Sequence, residues 1–423
     1  MRDYKHLCSP ARTKNRRGLV LASLLALLLI PLGVLLARQA ADAYSSWRGQ
    51  PPSTAGSTPI RLDNTLFATA SDLLPAANET DNGLTATASD GTILHYSIIP
   101  DLQHRVQRYL QSYQVPYGLL IALEPASGRV LALVSHSALT PDWTHDAAYQ
   151  LYPMASLFKM VTAAAALEQG TITPDTVMEF RGSAISETPS SWDPRPRGRN
   201  SRMDVTDAMG KSCNPVYGRI ASDLVGTEQL KATSERFGFN RPLMAGLPAR
   251  ISQAPAPDTT DGLRLVGSGL EHGLQVSPLH AALITAGIAN NGIMMNPRLV
   301  DKITKNDRDR FPPPSRELQR MISPQVAEDL TSMLTSTVTT GTSRRAFRTQ
   351  QGKQLLASVT VAAKTGSING DNPKGHYSWF AAYAPAEDPK IALVALVING
   401  DRWRIKASQV GEQALDVFFR ADR

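Results

Sequence analysis

The sequence predicts an α+β domain in which an antiparallel sheet is formed from both ends of the domain, with a helical subdomain between them. Three observations carry this. Two apolar runs, 117–123 and 130–134, flank the turn Pro125-Ala126-Ser127-Gly128 and read as a hairpin. Helical spacing then dominates the middle of the chain. Strand patterns return only late, at 358–362, 377–384 and 391–398. A sheet packed against a helical unit leaves a cleft, which is where an active site is expected.

Taken in order, the chain begins with the basic residues Arg2, Lys5, Arg12, Lys14, Arg16 and Arg17, opposed only by Asp3. The formal net charge is +7, so most of it lies before residue 18 and the remainder is close to neutral. That placement argues against a nucleic-acid surface and for a topology signal. Residues 19–37 are apolar almost without a break and long enough to cross ~30 Å of hydrocarbon as a helix. Pro31 and Gly33 are better tolerated in such a helix than in a soluble one. The expectation is a cytoplasmic tail at 1–17, one transmembrane helix at 18–37, and a catalytic part outside the cytoplasmic membrane. A cleaved signal peptide is the alternative, because Ala41-Asp42-Ala43 resembles a cleavage site, although such apolar cores usually have about 7–15 residues. Cys8 and Cys213, the two cysteines, fall on opposite sides of the membrane in this reading, so no disulfide joins them.

Residues 38–90 are rich in Ser, Thr, Ala, Asp and Asn and read as a juxtamembrane stalk, with the folded domain at 91–423. Within that domain 92–98 suits a strand, and Leu102, Val106, Tyr109 and Leu110 give helical spacing over 102–113. Further helices are expected at 155–169, 205–224, 228–237, 278–290, 324–338 and 406–419. The first of these is apolar almost all round, contains Ala163 to Ala166 and stops at Gly170, so it should be buried.

Three short patterns bear chemistry: Ser156-Leu157-Phe158-Lys159, Ser212-Cys213-Asn214 and Lys364-Thr365-Gly366. Each alone is weak, and Ser367-Ile368-Asn369 repeats the middle one by accident. On a helix, a serine three residues before a lysine shares its face, one turn away. The hydroxyl needs a base, and a lysine serves only if its pKa is lowered. Burial, the positive end of the helix and a second cation would all lower it. The alternative is that Lys159 snorkels to the surface. The strand pattern at 358–361 leads into Lys-Thr-Gly, which offers a cation, a hydroxyl and a site without a side chain where substrate can approach the backbone. Lys364 is otherwise an exposed turn lysine.

In their order and spacing the three patterns resemble those of penicillin-binding protein transpeptidases, relatives of the serine β-lactamases. The resemblance extends to Pro100-Asp101-Leu102-Gln103, the hairpin LLIALEPASGRVLALVS, the stretch GLQVSPLHAALITAGIANNG and HYSWFAAYAP, covering roughly 95–420. It implies that Ser156 is the acylated nucleophile, Lys159 its general base and Ser212 a proton relay. It also implies that Asn214 binds a substrate amide, that Lys364 and Thr365 hold the terminal carboxylate, and that Gly366 and Ser367 line the substrate's path. The backbone N–H groups of Ser156 and Ser367 would form the oxyanion hole. The implied activity is a D,D-transpeptidase acting on stem peptides ending in D-Ala-D-Ala, bound covalently by β-lactams and needing no metal or organic cofactor. Ser367 stands where threonine is common in the family, and Cys213 where the pattern has aspartate.

Other constellations fit less well. Gly210-Lys211-Ser212 resembles the end of a phosphate loop, but Val205 occupies the position of its first glycine. The histidines, among them His136, His272 and His376, form no His-Glu-x-x-His, and no cysteine cluster suits zinc. His376 is open to two readings, a cleft wall or a surface histidine. Arg195, Arg197, Arg199 and Arg202 form either an anion-steering loop or a solvated one. A D,D-carboxypeptidase or β-lactamase would pass the acyl group to water; no Glu-x-x-x-Asn segment for that was found. A β-lactam sensor or wall-synthesis scaffold is the non-catalytic alternative, and a 17-residue tail is short for signalling. Glycan polymerisation is expected of a separate partner protein.

Overall fold

The computed structural model describes residues 60–420, so the expected tail and membrane helix lie outside the described residues. The central sheet has five strands in the order Ala362–Asp371, Lys374–Ala384, Ile391–Asn399, Tyr117–Leu123 and Val130–Ser137, every neighbouring pair antiparallel. Ile398 faces Tyr117 and Ala392 faces Leu123, which joins the late strands to the early hairpin. Ile391–Asn399 is buried along its whole length, so both faces of the sheet are covered.

Alternation divides the apolar runs between two cores. Leu119, Ile121, Val394 and Leu396 point into the larger core, which is shared with the helical part. Leu120, Ala122, Leu393 and Val397 point the other way, against Leu102, Val106 and Leu110 of the helix Pro100–Ser112 and Val410, Ala414 and Leu415 of the helix Ala407–Arg420.

Several expectations are corrected. The stretch 38–90 is not a stalk throughout, because residues 60–90 are folded. The helix Leu66–Leu73 buries Leu66, Phe67 and Ala70 at helical spacing. Asn78–Thr80 and Gly83–Thr87 join Ile93–Tyr96, Val300–Lys305 and Arg308–Arg310 in a second five-stranded sheet. The helix expected at 205–224 is three pieces: Val205–Gly210, Asn214–Arg219 and a π-helical turn Ile220–Val225. Ser212, in the break, has a left-handed φ of 56°. The helix expected at 155–169 opens with a 3₁₀ turn, Ala155–Phe158, before the α-helix Lys159–Glu168. The late strand expected at 358–362 instead runs Ala362–Asp371, so Lys364-Thr365-Gly366 lies within the edge strand and not at a strand's end.

Candidate active site

Ser156 sits in the 3₁₀ turn that starts the buried helix Lys159–Glu168, at the mouth of the cleft, 8% exposed. Ala155 before it has a φ of 53°. The reason lies across the cleft floor. The helix Thr260–Ser268 ends in Gly269, a left-handed cap with φ 78°, and a Cβ there would stand 2.1 Å from the Ala155 carbonyl oxygen. Only glycine lets the two turns meet this closely.

Lys159 is wholly buried and does not snorkel. Its Nζ donates to Ser156 Oγ at 2.7 Å, Asn214 Oδ1 at 2.8 Å and the Ser268 carbonyl at 2.5 Å. Burial pushes its pKa down from the usual lysine range to about 7, with the neighbouring Cys213 thiol acting weakly the other way. Two of its partners, the Asn214 and Ser268 oxygens, can only accept. A neutral Lys159 therefore keeps two N–H groups on those oxygens and turns its lone pair to the one partner that can donate, the Ser156 hydroxyl. That is the arrangement a general base requires.

Ser212 and Lys364 form the second half. Lys364, also wholly buried, donates to Ser212 Oγ at 2.9 Å and to the Thr365 carbonyl at 2.7 Å. Burial, and next the Lys159 charge, hold its pKa well below the usual lysine range. Ser212 is presented by the break between the short helices. Cys213 behind it is a buried free thiol. Asn214 opens the helix Asn214–Arg219, and its Nδ2 donates to the Ser186 carbonyl at 3.2 Å. The hydroxyls of Thr365 and Thr342 are 2.6 Å apart. At Gly366 a Cβ would lie 3.4 Å from the Ser156 nitrogen, so the edge strand passes directly over the backbone of Ser156.

The structure thus brings Ser156, Lys159, Ser212, Asn214, Lys364, Thr365, Gly366 and Ser367 together around a cleft cavity of about 330 Å³. Sequence reasoning missed Thr342 and the Ser268 carbonyl. A backbone acceptor has no side-chain signature, although Ser268-Gly269 after an apolar helix is a cap signal. His376 bonds Asn369 Oδ1 and stacks on Trp403 beside the cleft. Arg195, Arg197, Arg199 and Arg202 are exposed and form none of the cleft's walls. Among the described residues no group of three or more His, Cys, Asp or Glu side chains is placed to hold a metal.

With this geometry in hand, comparison with known proteins is specific. Residues 118–416 match the penicillin binding protein transpeptidase domain family. The peptidoglycan D,D-transpeptidase PbpA of Mycolicibacterium smegmatis is 30% identical over 315 residues, which are 67% of this chain and 62% of that protein. The chain therefore spans less than two thirds of that relative's length. Penicillin-binding protein A of Mycobacterium tuberculosis, solved as a penicillin G acyl-enzyme complex, superposes with a TM-score of 0.61 at 26% identity, covering 77% of this chain and 80% of that one. The D,D-transpeptidase domain of a peptidoglycan glycosyltransferase from Eggerthella lenta gives 0.67 at 23% identity, covering 84% and 91%.

Proposed function

The chain belongs to the penicillin-binding protein transpeptidase family, and from that premise we propose that it cross-links peptidoglycan stem peptides through an acyl-enzyme on Ser156. One observation carries the chemistry: the buried Lys159, its other two partners fixed as acceptors, faces Ser156 Oγ at 2.7 Å. In this reading neutral Lys159 takes the hydroxyl proton as Oγ attacks the carbonyl of the penultimate D-alanine. The Ser156 and Ser367 N–H groups hold the developing oxyanion, each contributing a factor of about 10²–10³. Ser212, bonded to Lys364, passes a proton to the departing D-alanine amine. Lys364 and the Thr365 hydroxyl hold the terminal carboxylate, and Asn214 holds an amide of the donor. An amine of a neighbouring stem peptide then attacks the ester, which frees Ser156. Asn214 is thus both a substrate ligand and one of the two oxygens that orient Lys159.

A β-lactam carries the same carbonyl and carboxylate but leaves no free amine when its ring opens. Penicillin is therefore expected to leave one covalent adduct on the peptide containing Ser156, stable for many minutes, and Ser156→Ala to abolish it. Losses near 10⁶-fold accompany removal of such a nucleophile. An adduct on Ser212 would overturn the assignment of the nucleophile. Rapid release of the opened drug would indicate hydrolysis instead of transfer.

The apolar run 19–37 and its basic flank support a further proposal, that the domain works outside the cytoplasmic membrane on a single anchor. A reporter fused after Arg423 should be active only outside the cytoplasm; activity inside would sink it. Polymerisation of the glycan is assigned to a separate protein.

A further inference from the structure

The Ser268 carbonyl that Lys159 bonds belongs to a helix end, and helix ends leave carbonyls without intrahelical partners. The helix Thr260–Ser268 closes with the Gly269 N–H donating to the Val266 carbonyl at 2.9 Å and the Leu270 N–H to the Leu265 carbonyl at 2.8 Å. That cap leaves the carbonyls of Gly267 and Ser268 to side chains. Both are met from the helix Lys159–Glu168. Lys159 Nζ donates to Ser268 at 2.5 Å, and Thr162 Oγ1 donates to Gly267 at 2.8 Å. Three residues apart, the two side chains share one helix face.

Thr162 is wholly buried. Its hydroxyl has one proton to give. The carbonyl of its own helix, at Phe158, is farther away at 3.4 Å, so the proton goes across to Gly267. A Cβ at Gly267 would stand 2.2 Å from the Ala221 Cβ, so the helix end is also pressed against the turn Ile220–Val225. Further up the same helix the buried Arg264 donates to the Pro189 carbonyl at 3.2 Å and to both Asp193 oxygens at 2.6 and 3.0 Å. The carbonyls of Gly267 and Ser268 lie on consecutive planar peptide units. Once the first is held, only φ and ψ of Ser268 set the direction of the second, and the Gly269 cap restrains both.

We propose that Thr162 is the positioning residue of the general base: by holding the Gly267 carbonyl it keeps the Ser268 carbonyl in place as an acceptor for Lys159, and so keeps the lysine lone pair on the Ser156 hydroxyl. The inference rests on the acylation of Ser156 proposed above. Thr162 touches neither the substrate nor the reacting atoms. Without its hydroxyl a buried carbonyl is left with no donor, the helix end turns to find one, and Lys159 loses a fixed direction.

The test is saturation kinetics of penicillin acylation at a pH where Lys159 is neutral. It separates the limiting acylation rate constant from the binding that precedes it, and also gives the fraction of sites acylated. Thr162→Val keeps the branched shape and removes the hydroxyl. Its limiting rate constant should fall about tenfold, the scale of one buried group left unsatisfied, with the binding step and the acylated fraction unchanged. Thr162→Ser and Thr162→Ala lose the same methyl group and differ only in the hydroxyl. Serine should keep the wild-type rate constant, and alanine should fall with valine. A wild-type rate constant in Thr162→Val overturns the proposal, as does a serine variant no faster than the alanine one. A smaller acylated fraction whose sites react at the wild-type rate assigns Thr162 to folding alone and overturns it too. Should Thr162→Val fail to fold, the serine and alanine pair decides. Wild-type protein that takes no adduct contradicts the acylation itself and not the positioning alone.

Discussion

Lys159 Nζ lies 2.5 Å from the carbonyl oxygen of Ser268, a backbone group on a helix end 109 residues further along the chain. Together with Asn214 Oδ1 at 2.8 Å it leaves the lysine a single direction in which to offer a lone pair. Arginine keeps its proton at any workable pH. Lys159→Arg is therefore expected to be nearly as inactive in penicillin acylation as Lys159→Ala, a loss of about 10³-fold or more on the scale of general base catalysis with its associated positioning. The second-order acylation rate measures it. Retained acylation in the arginine variant would mean that the site needs charge and not basicity.

The two buried lysines also set a pH profile. Acylation requires Lys159 unprotonated, so its rate should rise through pH about 7 and then level. Carboxylate binding requires Lys364 protonated, and its pKa lies below the usual lysine range, so a falling limb should appear earlier than an ordinary lysine would give. Losing the proton on Lys159 removes the repulsion and keeps Lys364 charged over an intermediate window. Lys364→Arg should flatten the falling limb and leave the rising one. A profile without a rising limb near neutrality contradicts Lys159 as the base.

Gly269 tests how the turn that carries Ser156 is held. Its φ of 78° and the 2.1 Å approach of a built Cβ to the Ala155 oxygen leave no room for alanine without displacing the turn before Ser156. Gly269→Ala is expected to cost about 2 kcal/mol or more and to slow acylation as well. In a protein of this size the melting temperature should fall by roughly 3 °C. Gly352→Ala is the control: it shares the positive φ, 80°, but nothing lies within 4 Å of its Cβ.

Arg264 is the tie between the helix Thr260–Ser268 and the loop above the cleft. Its side chain is 7% exposed, but that of Asp193 is 56% exposed, so losing the pair leaves an aspartate that water can reach. Arg264→Met should then cost only about 1–2 kcal/mol. The larger effect is expected on KM for peptide donors, since Pro189 and Asp193 lose their anchor. Equal changes for peptides and for penicillin would indicate a general loss of folding.

How much of this was legible in the sequence depends on where the information lies. That Ser156, Lys159, Asn214 and Lys364 belong to one cluster was legible because their side chains carry the pattern. The sheet was readable because 117–123 and 391–398 are apolar on both faces. What hid was backbone. The break at Ser212 does leave a signal, because Pro215 disfavours helical backbone at Asn214 and suits the first turn of a new helix; only the left-handed φ of Ser212 leaves no trace in periodicity. Residues 60–90 hid behind polar composition, although Leu66, Phe67 and Ala70 already had the spacing of a packed helix. The strand through Lys364 was cut short because Lys-Thr-Gly-Ser reads as a turn, whereas edge strands tolerate such residues.

The pairing of Ile398 with Tyr117 bears on how the chain comes to its shape. During synthesis the early hairpin appears long before the strand that must cover its inner edge. Until residues 391–399 emerge, Tyr117–Leu123 presents a bare, wholly apolar border on which another nascent chain could add a strand. Closure depends on contacts between the beginning and the end of the domain, the kind that slows folding most. Seen from the ribosome, the sheet's oldest edge waits longest, because the strand that completes it is among the last to be made.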